Sequence, residues 1–73
     1  MRLFYNKDLS KDDSRLIIDR EESTHIVKVL RKKVGDTIYI TNGKGILFTT
    51  VIDIINKNST ELKIINTKQE LKS

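Results

Sequence analysis

The sequence has 73 residues, enough for only one domain, and its fourteen lysines and arginines against ten aspartates and glutamates give a net charge of +4. It contains no cysteine and one histidine, which excludes disulfides and thiolate nucleophiles and leaves no metal site to predict. No apolar run approaches the roughly 18 residues of a membrane-spanning helix, so we expect no membrane partner.

The chain begins with two short strands. Residues 2–5 form a short apolar run, and a second run of the same kind starts at Arg15. The polar residues 6–14 between them predict a loop, because Asn, Asp, Ser and Lys dominate there.

A helix is predicted next, over residues 20–32. Asp19 stands at the N-cap position and Glu22 follows three residues later, which is the spacing of a capping box. One helical face is then formed by Ile26, Val29 and Leu30. Gly35 is predicted to end the helix as a left-handed C′ residue.

Three strands follow the helix. Residues 37–41 alternate in hydrophobicity, Asn42-Gly43 is a strong turn signal, and residues 46–55 and 60–67 are further strands. The long strand is apolar on both faces, which indicates a bent strand or one that wraps round a small barrel. One face is predicted to hold Ile46, Phe48, Ile52 and Ile54, with Phe48 toward the core, and the other face Leu47, Val51 and Ile55. The order β-β-α-β-β-β predicts a mainly β fold, a small β-barrel with one short helix.

Residues 25–45 concentrate the positive charge. This window holds five cations and one anion, Asp36, so its charge of five minus one equals the whole net charge of +4. The cations are Lys28, Arg31, Lys32, Lys33 and Lys44. A helix dipole accounts for one or two of them, whereas a phosphate backbone would offset the mutual repulsion of all five. We therefore predict RNA binding by one surface, and a solvated face remains the alternative.

His25 and Tyr39 are the other candidates for a role in binding. No nucleophile or second catalytic group accompanies His25, so no catalytic residue is predicted. His25 shares a helix flank with Lys28, which is compatible with contact to RNA or with packing. Tyr39 is predicted on the outer face of its strand, where it could stack on a base.

The stretch THIVKVLRKKVGDTIYITNGKGILFTTVI resembles the N-terminal region of the ribosomal RNA small subunit methyltransferase E family. The shared series is His25, Val29-Leu30-Arg31, Gly35-Asp36 and Asn42-Gly43. The opening of the chain, with Arg2, Phe4 and Tyr5, also resembles the start of these proteins. By position, the residues that the resemblance marks as facing RNA are Arg2, His25 and Arg31.

The resemblance implies a PUA-like RNA-binding β-barrel over residues 1–67. Residues 68–73 are then a polar tail, or the start of a linker to a SPOUT-type domain that binds S-adenosylmethionine. That second domain would methylate N3 of a uridine in 16S ribosomal RNA of the small ribosomal subunit. The chain itself is therefore expected to bind no cofactor and to be non-catalytic. The parent protein is expected to be a cytoplasmic homodimer.

Two other functions remain open from the sequence. The barrel could be a protein-interaction module in which the helix over residues 20–32 packs on a partner domain or subunit. An independent small enzyme is the third class, although no cofactor site is recognisable in the sequence.

Overall fold

The computed structural model describes residues 3–69 and confirms a mainly β fold with one short helical segment. Helix α1 (Arg20–Thr24) continues directly as a π-helical turn over His25–Val29. None of the helical segments in residues 3–69 is long and apolar enough to cross a membrane. The strands are β1 (Leu3–Tyr5), β2 (Arg15–Ile18), β3 (Thr37–Thr41), β4 (Ile46–Ile55) and β5 (Thr60–Gln69).

The strands form one sheet in the order β1-β3-β4-β5-β2. β1 pairs with β3 in parallel, and the other neighbours are antiparallel. The sheet curls into a half-barrel, because the edge strands β1 and β2 line the same cavity, together with the helical segment. The predicted tail begins too early: β5 continues to Gln69, where it pairs with Ile46, two residues beyond the predicted boundary at residue 67.

Two irregularities bend the long β4–β5 hairpin. The register shifts between Thr49 and Thr50, and again where Asp53 stands as an extra residue between Ile52 and Ile54. A bulge moves the following side chains to the opposite face of the strand. The prediction that Ile54 lies on the same face as Phe48 is therefore wrong: Ile54 is 41% exposed, and Ile55 packs against the core instead.

The core lies on the concave face of the sheet. β4 contributes Phe48 and Ile52, and the neighbouring strands contribute the other buried apolar side chains, namely Ile38, Ile40 and Leu62. Ile26 of the π-helical turn and Leu9 of the β1–β2 loop complete the core from outside the sheet. Burying each such side chain stabilises the fold by about 1.5–3 kcal/mol. Sequence reasoning treated residues 6–14 as a polar loop and missed the role of Leu9.

The helix starts where the sequence predicts and ends earlier. Oδ1 of Asp19 accepts the backbone N–H of Glu22 at 3.0 Å, which confirms the predicted cap. The π-helical turn ends at Val29, and Arg31 adopts a left-handed conformation with φ 56°. The predictions that the helix ends at residue 32 and that Gly35 is its C′ residue are therefore wrong, because the chain has already turned away from the helix at Arg31.

Gly35 has a separate role in the loop before β3. Its φ of 96° places it in the left-handed region, in a turn closed by a 2.9 Å hydrogen bond from the Asp36 N–H to the Lys33 carbonyl. Its own N–H donates to the Ile52 carbonyl at 2.9 Å. The turn thereby fixes the loop after the helix against the middle of β4.

Candidate nucleic-acid interface

The segment from Lys28 to Lys33 displays the predicted cations at the end of the helix. Lys28 lies in the π-helical turn, and Arg31 and Lys33 are exposed in the loop that follows. Lys32 is half-buried, and its N–H donates to the Ile26 carbonyl at 3.0 Å. The carboxylate of Asp36 accepts the backbone N–H of Lys33 at 2.8 Å, so the one anion of this loop also holds its shape.

A cationic groove adjoins this segment. It lies between the helical segment and the β4–β5 turn, has a volume of about 390 Å³, and is lined by Arg20, Lys28 and Lys57. Arg20 and Lys57 were not predicted as site residues, because they lie outside the charged window and only the fold brings them to Lys28. We call the set of Arg20, Lys28, Arg31, Lys32, Lys33 and Lys57 the helix-end surface.

Lys44 does not belong to the helix-end surface, so the prediction of a single surface is wrong for this residue. The loop after the helix is bonded to β4 at Ile52, and Lys28 shares its groove with Ile55. Lys44 instead lies beside Ile46 at the other end of that strand. Six residues at about 3.4 Å each separate Ile46 from Ile52 by roughly 20 Å.

Lys44 has its own neighbours, Lys7 and Lys11 of the β1–β2 loop, with which it lines a second cavity. Asp8 lies in the same lining, so a carboxylate accompanies these lysines. The buried side chain of Asn42 ties this end of the molecule together: its amide donates to the Leu9 carbonyl at 3.1 Å and its oxygen accepts the Lys44 N–H at 2.8 Å. We call Lys7, Lys11, Lys44 and Lys68, which pairs with Leu47 nearby, the hairpin-end lysines.

His25 is half-buried and packs against Phe4. The two ring centroids lie 6.3 Å apart at an interplanar angle of 75°, an edge-to-face contact. Its Nε2 is buried and has no hydrogen-bond partner among the described residues. This placement favours the packing role that the sequence left open, and contact of His25 with RNA stays a prediction.

The aromatic candidates differ in exposure. Tyr39 is half-buried in β3 between Leu3 and Thr49, and its stacking on a base stays a prediction. Tyr5 is 62% exposed, and a Cβ at Gly43 would lie only 2.6 Å from its Cε1. This contact could not be predicted from the sequence, because Tyr5 and Gly43 meet only through the pairing of β1 with β3. Arg2 lies outside the described residues.

Arg15 on the outer face of β2 differs from the helix-end cations, because carboxylates of the fold pair with it. Arg15 bonds Asp53 at 2.6 Å and Glu61 at 3.4 Å, and within residues 3–69 the ion pairs both involve Arg15. The hydrogen bond that Arg15 donates to Asp53 is the main cause that raises the pKa of Arg15 above its ordinary value. The charge of Arg15 is thus compensated within the fold, whereas the helix-end cations take part in none of the ion pairs that the described part of the chain contains.

Comparison with known proteins places this geometry in a family. The sequence profile described as RNA methyltransferase PUA domain matches residues 18–65, about two thirds of the chain. This range includes the helical segment and the strands β3 and β4, hence every residue of the helix-end surface. A search of curated protein sequences found no match.

Solved structures share the fold. A protein described as a predicted RNA methyltransferase from Thermotoga maritima is 30% identical, with a TM-score of 0.72 over 97% of this chain and 32% of its own. A probable rRNA-methyltransferase from Porphyromonas gingivalis is 30% identical, with a TM-score of 0.80 over 99% of this chain and 29% of its own.

A third similar structure is the ribosomal RNA small subunit methyltransferase E of Neisseria gonorrhoeae, bound to S-adenosyl methionine. It is 22% identical, with a TM-score of 0.77 over 93% of this chain and 28% of its own. The chain thus spans less than a third of each of these proteins. The PUA-like barrel that the resemblance implies is confirmed, and the chain belongs to the family of RNA methyltransferase PUA domains.

Proposed function

We propose that the chain is an RNA-binding domain that recruits the substrate of a methyltransferase. The observation that carries the proposal is the helix-end surface, where the fold collects cations that take part in no ion pair within residues 3–69. The match to an RNA methyltransferase PUA domain supports RNA as the anionic partner.

Contacts with phosphate groups would offset the mutual repulsion of the cations on this surface. Lys28, Arg31 and Lys33 repel one another, and each phosphate that they neutralise releases condensed counterions. Because the release is entropic, the affinity falls steeply as the salt concentration rises. In a plot of the logarithm of the binding constant against the logarithm of the salt concentration, each contact with a single strand adds about 0.7 to the steepness of the slope. The surface therefore supplies affinity and orientation, and sequence is read elsewhere.

Methyl transfer is proposed for another part of the parent protein. S-adenosylmethionine carries a sulfonium cation and a carboxylate, and the groove of Arg20, Lys28 and Lys57 would repel the sulfonium. The cavity between β1 and β2, about 300 Å³ in volume, has Asp19 and Glu22 but no lysine or arginine in its lining to pair with the carboxylate. These residues do not fit the cofactor.

The finer assignment follows the resemblance. We propose that the parent uses S-adenosylmethionine in a SPOUT-type domain to methylate N3 of a uridine in 16S ribosomal RNA. It would act on the small ribosomal subunit as a cytoplasmic homodimer. The solved relative from Neisseria gonorrhoeae, a ribosomal RNA small subunit methyltransferase bound to S-adenosyl methionine, supports the target and the cofactor.

The test replaces Arg31 and Lys33 together by glutamine and measures the affinity for a small-subunit ribosomal RNA fragment over a range of salt. Both side chains are exposed, so the folded structure should be retained. We expect weaker binding and a logarithmic salt slope lower by about 1.4. A folded double variant with unchanged affinity and slope would remove this segment from the interface.

A second candidate function is packing on a partner domain, favoured by exposed apolar side chains in and directly after the segment from Lys28 to Lys33. Val29 is 63% exposed and Val34 is 59% exposed. Replacement of both by serine should leave the salt slope for RNA unchanged and weaken an interdomain contact, which would appear as a lower melting temperature of the parent protein. A reduced salt slope in this variant would argue against interdomain packing.

A further inference from the structure

We infer that the groove between the helical segment and the β4–β5 turn binds a phosphodiester group of the RNA, through Arg20, Lys28 and Lys57. This inference rests on the proposed function and deepens it, because it assigns two cations that neither the charged window nor the resemblance contains. It also identifies the part of the RNA that the groove takes, the backbone rather than a base.

The two walls of the groove come from separate parts of the chain. Arg20 and Lys28 lie on the helical segment, with Thr24 between them along the same flank. Lys57 faces them from the β4–β5 turn, with Asn56 and Asn58 beside it. A groove that presents lysine and arginine from opposite walls can hold an anion between them.

The shape of both walls is fixed by hydrogen bonds. The Asn56 N–H donates to the Ser59 carbonyl at 2.8 Å, and the Asn56 amide donates to the Ser59 hydroxyl at 3.3 Å, so the turn is closed. The buried hydroxyls of Ser23 and Thr60 are bonded to each other and join α1 to the start of β5. The groove is therefore held open by the fold rather than formed on binding.

The charge of the lining is wholly positive. No aspartate or glutamate lines the groove among the described residues, and its remaining polar groups are hydroxyls and amides. Glu22 lines the cavity between β1 and β2, and Glu21 lines neither cavity. Like charges across a groove of about 390 Å³ repel one another, and a phosphate placed between them would offset this repulsion.

Its chemistry distinguishes the groove from the other cationic cluster. Three of the hairpin-end lysines, Lys7, Lys11 and Lys44, share their cavity with the carboxylate of Asp8. The Thr24 hydroxyl and the Asn58 amide also line the groove and can bond phosphate oxygens alongside the cations. A phosphodiester, with its single negative charge and two free oxygens, suits this combination of donors.

The experiment compares two double variants of equal charge in the 73-residue chain. Arg20→Gln with Lys57→Gln neutralises the groove, and Lys63→Gln with Lys68→Gln removes two exposed charges of β5. Binding to a single-stranded oligonucleotide from small-subunit ribosomal RNA is measured between about 50 mM and about 200 mM salt. The groove variant should lose about 0.7 from the logarithmic slope, the contribution of one phosphate, so its affinity changes about 2.6-fold less over this range.

The outcomes separate this inference from the proposed function. The groove is not a phosphate site if the β5 variant loses as much of the slope as the groove variant. The same conclusion follows if the groove variant keeps the full slope while Arg31→Gln with Lys33→Gln does not. In both cases the domain still binds RNA, so the proposed function stands. Absence of salt-dependent binding by the unmodified chain overturns both. Circular dichroism and thermal unfolding verify that each variant is folded.

Discussion

Arg31 allows stability and RNA binding to be separated at one position. Its φ of 56° is left-handed, a conformation that costs a residue with a Cβ about 1–2 kcal/mol. Glycine removes this cost and in return loses about 0.4–1 kcal/mol through the greater entropy of the unfolded chain. Arg31→Gly should therefore change the free energy of unfolding by between about 0 and about +1.5 kcal/mol.

Arg31→Ala is the matched control. It removes the same charge but keeps the Cβ and hence the strained conformation. For a difference of about 1 kcal/mol, the glycine variant should melt about 4–8 °C above the alanine variant in a domain of this size. Both variants should lose the same phosphate contact, with a salt slope for RNA lower by about 0.7. Thermal unfolding and fluorescence anisotropy with a labelled RNA measure the two quantities.

Two results would refute this reasoning separately. An alanine variant as stable as the glycine variant, or more so, would show that the chain does not hold residue 31 in the left-handed conformation. Unchanged salt slopes in both variants would show that the side chain of Arg31 makes no phosphate contact. A variant with Arg31→Lys should retain the slope in either case, because it keeps the charge.

Three further predictions concern stability. Gly43→Ala should lower the melting temperature more than Gly35→Ala. Both glycines have positive φ, but only at Gly43 would the added Cβ meet the ring of Tyr5. In a Tyr5→Ala background the two substitutions should therefore lower the melting temperature equally. Phe48→Ala should lower the free energy of unfolding by about 3–5 kcal/mol, because Phe48 is fully buried. A chain of this length is expected to have a free energy of unfolding of about 4–11 kcal/mol, so unfolding of the variant by urea should begin at a far lower concentration or lose cooperativity. Asp19→Ala should lower the free energy of unfolding by about 0.5–2 kcal/mol, because the N-cap hydrogen bond is lost. Asparagine is an equally good N-cap residue, so an equal loss of stability for Asp19→Asn would argue against the cap.

Local chemistry explains what could be predicted of the fold. The bounds of β3 and β4 follow from alternation and from the Asn42-Gly43 turn, which are properties of adjacent residues. The end of the helix does not follow in the same way. Sequence rules favour Gly35 for the left-handed position, but the chain reverses at Arg31 after a π-helical turn that buries Ile26 in the core. Tertiary packing thus overrides a local preference.

The candidate site was only partly predictable for a similar reason. Net charge in a sequence window identifies Lys28, Arg31 and Lys33, which are close along the chain. It cannot show that an extended strand moves Lys44 away from them, or that the β4–β5 turn brings Lys57 to the helix. The bulge at Asp53 is equally invisible in the sequence, since one extra residue reverses the faces without disturbing the apolar pattern.

The most direct measurement compares charge-matched variants at the two ends of the molecule. One variant has glutamine at four residues of the helix-end surface, Lys28, Arg31, Lys33 and Lys57. The other has glutamine at the four hairpin-end lysines, Lys7, Lys11, Lys44 and Lys68. Each has a net charge of four minus four, or zero, so long-range attraction to RNA is equal.

Salt-dependent binding to the same ribosomal RNA fragment then decides between the two ends. We expect the helix-end variant to lose about 2.1 from the logarithmic slope, at about 0.7 for each of the three phosphate contacts assigned to Arg31, Lys33 and the groove, and most of its affinity. The hairpin-end variant should keep nearly the full slope of the unmodified chain. Equal losses in the two variants, or a larger loss in the hairpin-end variant, would contradict RNA binding by the helix-end surface.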